Sequence, residues 1–192
     1  MDFLESEYVD CHCKKGSYTE RSLKNKNFTK VIFEGCDFTK SDFTGSRLLD
    51  CTFLSCNLSL VILDGVRIQD GKFINCKLTG VNFAKCDKMF FAVSFKGCLI
   101  DTSNFSDLGM KGTSFIDCVV RDTHFSGTQL QLGDFSGSDL KGSSFHNTNL
   151  SKANFAKAIN YSIDPLTNKL TKARFSAPEV LSLLTSLEIV IE

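Results

Sequence analysis

The sequence predicts an all-β fold: a solenoid whose coils are four-sided and stack in parallel, closed by a short C-terminal helix. Three observations predict it. A bulky apolar residue recurs at every fifth position through Phe105, Met110, Phe115, Val120, Phe125, Leu130, Phe135, Leu140, Phe145, Leu150 and Phe155. The residue two before each is small (Ser103, Thr113, Cys118, Thr123, Thr128, Gly133, Ser138, Ser143, Thr148, Ala153), Leu108 being the large exception. From Phe28 to Ala158 every Asp, Glu, Lys and Arg except Lys88 falls outside these two positions.

A period of five fits neither a helix at 3.6 nor a long strand at 2.0, so it implies short straight segments separated by regular corners. Each pentapeptide forms one side of a coil. The bulky residue, here called the centre, and the residue two before it share a face of an extended segment, and both point inward. An unpaired charge in that narrow interior would be very costly, which accounts for the placement of the charged residues.

The repeat runs from about residue 16 to about residue 158. Centres proceed through Phe28, Phe33 and Phe38 up to Phe83 and resume at Phe90 and Phe95. Two extra residues near Asp87 to Met89 are therefore expected to bulge outward and carry Lys88 into solvent. Gly35, Gly45, Gly65, Gly80, Gly97, Gly112, Gly127, Gly137 and Gly142 each lie two residues after a centre, where a corner with positive φ favours glycine.

Side-chain identity sets the number of sides. With four sides and the bulge removed, Phe33, Phe53, Phe73, Phe95, Phe115, Phe135 and Phe155 form one stack. Cys36, Cys56, Cys76, Cys98 and Cys118 form a single file on the next face. Coils spaced by ~4.8 Å would give a rod roughly 34 Å long for about seven coils.

An open solenoid end exposes unpaired backbone and apolar side chains, so a cap is expected over residues 159–192, within a single domain spanning 1–192. Ser176 and Glu179 have capping-box spacing and Pro178 falls in the first turn. Val180, Leu181, Leu183, Leu184 and Leu187 make one face of an amphipathic α-helix, followed by a strand at Ile189 to Ile191. The same apolar residues, Val180, Leu181, Leu184 and Leu187, are the candidate surface for a homodimer.

The function classes are narrowed mostly by exclusion. Lys and Arg total 22 and Asp and Glu total 22, so the net charge is zero and no direct nucleic-acid binding is expected from the total. The opening MDFLESEYVDC has no basic start or apolar h-region, and no run approaches the ~20 apolar residues that span a bilayer. A cytoplasmic protein without membrane association is expected. The nine cysteines read as buried apolar filler, because parallel side chains in a packed file are poorly aimed for disulfides and no CxxC or Cys/His cluster occurs. His124 and His146 flank centres on one face with no convergent nucleophile, and no phosphate loop or dinucleotide fingerprint is present. No metal, cofactor or catalytic residue is expected, and the chain does not read as an enzyme. Ile32, Leu54, Ile74 and Ile116, apolar residues beside the phenylalanine stack, are the candidate partner surface.

Units such as CDFTK, SDFTG, SDLKG, TNLSK and ANFAK resemble the pentapeptide-repeat family, whose members form a right-handed quadrilateral parallel β-helix. Within it, SCNLSLVILDG, SSFHNTNLSKANFAKAINYSIDP and KARFSAPEVLSLLTSLEIVIE are similar to the albicidin-resistance and microcin-immunity type. That resemblance implies a protein that protects DNA gyrase from a toxin or antibiotic, some relatives acting as mimics of duplex DNA. The charge columns fit mimicry only in part: Asp37 and Asp139 share a column with Lys77, Asp101 shares one with Arg121 and Lys141, and no continuous acidic face runs along the rod. The alternative is a structural or adaptor rod that binds another protein and is unrelated to gyrase.

Overall fold

The computed structural model describes residues 2–187 and Ile189 and shows a four-sided parallel β-solenoid of about eight coils. On the first face the strands Glu7–Val9, Asn27–Thr29, Arg47–Leu49 and Arg67–Gln69 pair in parallel. The second face carries His12–Lys14, Ile32–Glu34, Thr52–Leu54, Gly71–Ile74, Val93–Lys96 and Phe115–Ile116. The third includes Lys77–Thr79, Leu99–Asp101 and Val119–Arg121, and the fourth carries Ser144–Phe145 against Ser162–Ile163. Phe33 stands opposite Phe53 and Phe53 opposite Phe73, a step of one coil each time.

The second-face rings stack from Phe33 through Phe53, Phe73, Phe95, Phe115, Phe135 and Phe155 to Phe175, with centroids 4.8 to 5.1 Å apart. A parallel stack on the fourth face, Phe83, Phe105, Phe125 and Phe145, meets it edge-on, as at Phe105 and Phe115 (88°). Offset stacking within a column and edge contacts between columns are both favourable ring geometries, so one residue type fills the interior without a void.

The cysteine file lies where the sequence placed it, and its side chains do more than fill space. The Cys76 thiol donates to the Phe53 carbonyl at 3.3 Å and accepts the Cys56 N–H at 3.4 Å. Cys56 makes the same pair of contacts with the Phe33 carbonyl and the Cys36 N–H. Ser138 continues the column with its hydroxyl on the Phe115 carbonyl (2.6 Å) and the Cys118 N–H (2.8 Å). The inward small position is therefore a bridge between coils. Ser, Thr and Cys suit it because a buried backbone group left unpaired is costly.

Every glycine assigned to a corner has a positive φ, and so do residues such as Asp50, Asn75 and Lys152 at equivalent corners. At Gly137 a second constraint applies. A Cβ there would stand 2.3 Å from the Asp117 carboxylate of the preceding coil. Glycine is needed at that corner for both conformation and space.

The bulge corrects one assignment. Phe95 stands opposite Phe73, so two residues are inserted, and Lys88 is exposed as expected. Phe90 is not a centre. It takes φ 65 at the tip of the bulge and is 64% exposed, whereas Phe91 turns inward and is 6% exposed. Asp87 anchors the base, accepting from Nε and Nη2 of Arg67 on Oδ2 and from the Met89 N–H on Oδ1. The extra residues are thus absorbed before Phe91, which fills the interior level beside Phe83.

Both ends extend beyond the expected repeat. In-register pairing already begins at Glu7, and Phe3 plugs the N-terminal opening against Tyr8, Tyr18, Phe28 and Phe33. At the other end Phe155 pairs with Phe175, so the coil continues past residue 158. The final helix, Glu179–Leu187, is 3-10 rather than α. Its expected capping box is not formed, because the Ser176 hydroxyl accepts the Lys157 N–H of the coil beneath at 3.1 Å. A three-residue repeat splits the expected apolar face into two stripes. Leu183 packs on the core while Leu181 and Leu187 remain exposed. The strand expected at Ile189 to Ile191 lies outside the described residues apart from Ile189, which has no strand assignment.

Candidate interaction surface

Inside the rod there is no room for chemistry. An enclosed gap lined by Phe43, Leu48, Leu58, Leu63 and Ile68 measures about 10 Å³, barely a water's space, and is wholly apolar. Burial pushes the Cys51 thiol up to about 11 and the Cys36 thiol up to about 12, away from the thiolate form a nucleophile requires. Among the described residues no three of His, Cys, Asp and Glu stand close enough to share a metal ion. Two histidines serve local contacts, His12 pairing with Glu34 at 2.8 Å and His124 hydrogen-bonding Ser144 at 2.9 Å, while His146 is exposed just after the strand Ser144–Phe145. Among the described residues no helix is long and apolar enough to cross a membrane.

Outward residues are placed by the register. Leu54 lies opposite Ile74, Ile74 opposite Lys96 and Lys96 opposite Ile116, so three of the candidate apolar residues share a column interrupted by a lysine. All three are half-buried. Ile32 stands in a different column, between His12 and Thr52 on the other edge of the same face, and is exposed. The bulge adds the exposed pair Met89 and Phe90, beside a groove of about 260 Å³ lined by Lys72, Phe91, Ser94 and Lys111. At the C-terminal end, Leu181 and Leu187 stand exposed three positions either side of the half-buried Leu184, with Val180 half-buried.

The electrostatics change along the rod. In the N-terminal coils some carboxylates are neutralised locally, Asp2 by Arg21, Glu20 by Lys40, Asp42 by Lys24 and Asp50 by Lys72, whereas Glu5, Glu7, Asp10, Asp64 and Asp70 have no ion-pair partner among the described residues. The Thr39 hydroxyl and N–H, both donating to Asp37, hold its carboxyl below the usual range. Burial of Asp139 favours its neutral form, but bonds from Asn160, Arg121 and the Lys141 N–H outweigh it and lower the pKa. Further along the rod, Asp101, Asp107, Asp117, Asp122 and Asp134 also have no ion-pair partner among the described residues. Asp107, Asp117 and Asp122 are exposed and hold three left-handed corners of one coil, Gly112 holding the fourth. The exposed cations Lys111 and Arg121 stand at the same level, so these carboxylates do not form a continuous acidic band.

Comparison with known proteins gives three findings. A family model described as pentapeptide repeat region matches residues 26–105 and 88–157. The chain is 30% identical over 143 residues to the quinolone resistance pentapeptide repeat protein QnrB96 of Scandinavium goeteborgense, covering 71% of this chain and 53% of that protein. The match thus spans about half the length of that relative. Among solved structures, HetL, a pentapeptide repeat protein involved in heterocyst differentiation regulation from the cyanobacterium Nostoc sp. strain PCC 7120, superposes with a TM-score of 0.64 at 15% identity, over 88% of this chain and 85% of that one. A trypsin-treated form of QnrB1, a plasmid-mediated fluoroquinolone resistance protein, gives 0.55 at 19% identity, over 97% of this chain and 100% of the other. At these identities the structural likeness is one of fold.

Proposed function

The chain belongs to the pentapeptide-repeat family, and from that premise we propose that it is a non-enzymatic cytoplasmic protein that protects DNA gyrase from a quinolone-type drug or a toxin. The observation that carries this reading is the 30% identity over 143 residues to a quinolone resistance protein. The unpaired carboxylates fit it in part. A narrow rod carrying Asp101, Asp107, Asp117, Asp122 and Asp134, with Lys111 and Arg121 among them, can enter a basic DNA-binding channel as a partial electrostatic substitute for duplex, and the exposed Met89 and Phe90 offer an apolar contact on the same rod. In a supercoiling assay with purified gyrase, micromolar protein is expected to preserve activity against a fluoroquinolone. Activity that is unchanged both with and without the drug sinks the proposal.

The rod is further proposed to pair through its C-terminal end. Leu181, Leu184 and Leu187 fall at intervals of three, which a 3-10 helix places on one stripe, and the first and last are 49% and 45% exposed. A mass measurement in solution is expected to give a dimer that L181E/L187E converts to a monomer. A wild-type monomer at the concentrations used in the gyrase assay excludes this pairing.

A further inference from the structure

Positive charge is gathered near the C-terminal end. In the last two coils Lys152, Lys157, Lys169, Lys172 and Arg174 are all exposed, and none makes an ion pair among the described residues. The register brings four of them to one corner and the faces flanking it, and Lys157 to the next corner. Lys169 lies opposite Asn149 on the first face and Arg174 opposite Asn154 on the second. Lys152 and Lys172 hold the left-handed corner between those faces, one coil apart, with φ 60 and 59, and Lys157 holds the next corner with φ 59. The nearest described carboxylates are Asp134, which accepts from the Asn154 amide at 2.9 Å, Asp164, which follows Ile163 on the fourth face, and Glu179 at the start of the final helix.

We propose that this edge binds the phosphodiester backbone of a nucleic-acid duplex. Cations on long stems, Lys152 and Lys172 one coil apart at ~4.8 Å and the others on the adjoining faces and corner, can neutralise several phosphates of a duplex and release their counterions. Asn149 and the exposed Thr171 lie between them as uncharged hydrogen-bonding groups. The partner is a duplex rather than a single strand because these coils expose no aromatic ring for base stacking: Phe155 and Tyr161 are buried and Phe175 is half-buried. It is not a lipid surface, which would call for apolar side chains among the cations. No element is shaped to enter a groove, so binding is indifferent to base sequence. The net charge of zero conceals this surface because carboxylates elsewhere along the chain cancel it in the sum.

The test is fluorescence anisotropy of the full chain with a labelled DNA duplex of arbitrary sequence at about 50 mM salt, beside an RNA duplex, single-stranded DNA and phosphatidylserine vesicles. Saturable binding is expected, with affinity falling with salt at a log–log slope of about −4 for four to five phosphate contacts. K152E/K169E/K172E should weaken it by about tenfold or more and make the slope shallower by about one per cation removed. K77E/K85E/K96E, which reverses as many charges elsewhere on the rod, should leave it within about twofold, circular dichroism showing both variants folded. Binding to both duplexes, or to one of them, supports the proposal and identifies the source of the phosphates. No binding, an equal loss in the second triple variant, preference for the single strand, or binding to vesicles alone overturns it. Gyrase is not in this assay, so its result is independent of the protection reading.

Discussion

Each inward small residue is held to two requirements, volume and hydrogen bonding, and only the first was legible in the sequence. Cys76 shows the difference. Its size identifies it as interior, but its thiol also donates to the Phe53 carbonyl and accepts the Cys56 N–H, both in the coil before it. C76S is therefore expected to stay within about 1 kcal/mol of wild type, while C76A strands both groups and loses about 1–3 kcal/mol. Denaturant titration of the two variants distinguishes the roles. Equal stability for Ala and Ser returns the cysteine to simple filler. Corners were easier to read, because glycine at positive φ leaves a mark in the sequence, as at Gly137. The same corner built from Asp117 or Lys157 leaves none, since those residues are common anywhere on a surface.

Among elements, the bulge and the final helix show where periodicity stops being informative. An insertion of two residues was evident from the phase of Phe83 and Phe95, but phase alone cannot say which of two adjacent phenylalanines turns inward. Backbone conformation decides it: the left-handed turn at Phe90 directs that ring outward and returns Phe91 to the core. F91A is expected to lose about 3–5 kcal/mol and F90A no more than about 0.5 kcal/mol. If calorimetry finds the reverse order, Phe90 is the interior ring. A helix was expected over the last coil from its apolar spacing, and one is present, yet its 3-10 winding was not readable because Val180, Leu183, Leu184 and Leu187 suit either period. What changes is the face: only Leu183 among these packs on the core, and Leu181 is left to solvent.

For the whole molecule, the interior was almost fully specified by sequence because each coil repeats the same constraint, whereas the outward charges carry no such repetition. The cation-rich end appears only when height along the rod is considered together with face. Two half-buried carboxylates also link stability to pH. Asp37 is held down chiefly by Thr39, and Asp139, despite its burial, by Asn160 and Arg121, so both bind protons less readily folded than unfolded. Their contribution is complete above the unfolded value of about 4 and is lost as pH falls through the lower folded values. Melting temperature is expected to drop between pH about 5 and 2, and D37N/D139N to flatten that slope. An unaltered slope in the double variant assigns the acid sensitivity elsewhere.

The register of one coil per twenty residues, seen where Phe33 faces Phe53 and Phe115 faces Phe135, has a consequence for how such a chain can change in length. Duplicating or deleting any twenty-residue stretch within the regular coils returns every ring, bridge and corner to an equivalent neighbour, so the rod is altered by one step of ~4.8 Å without a new core having to be found. Recombination can thus tune the distance between the bulge and either end as a whole number of coils, while the surface between them remains free to vary residue by residue.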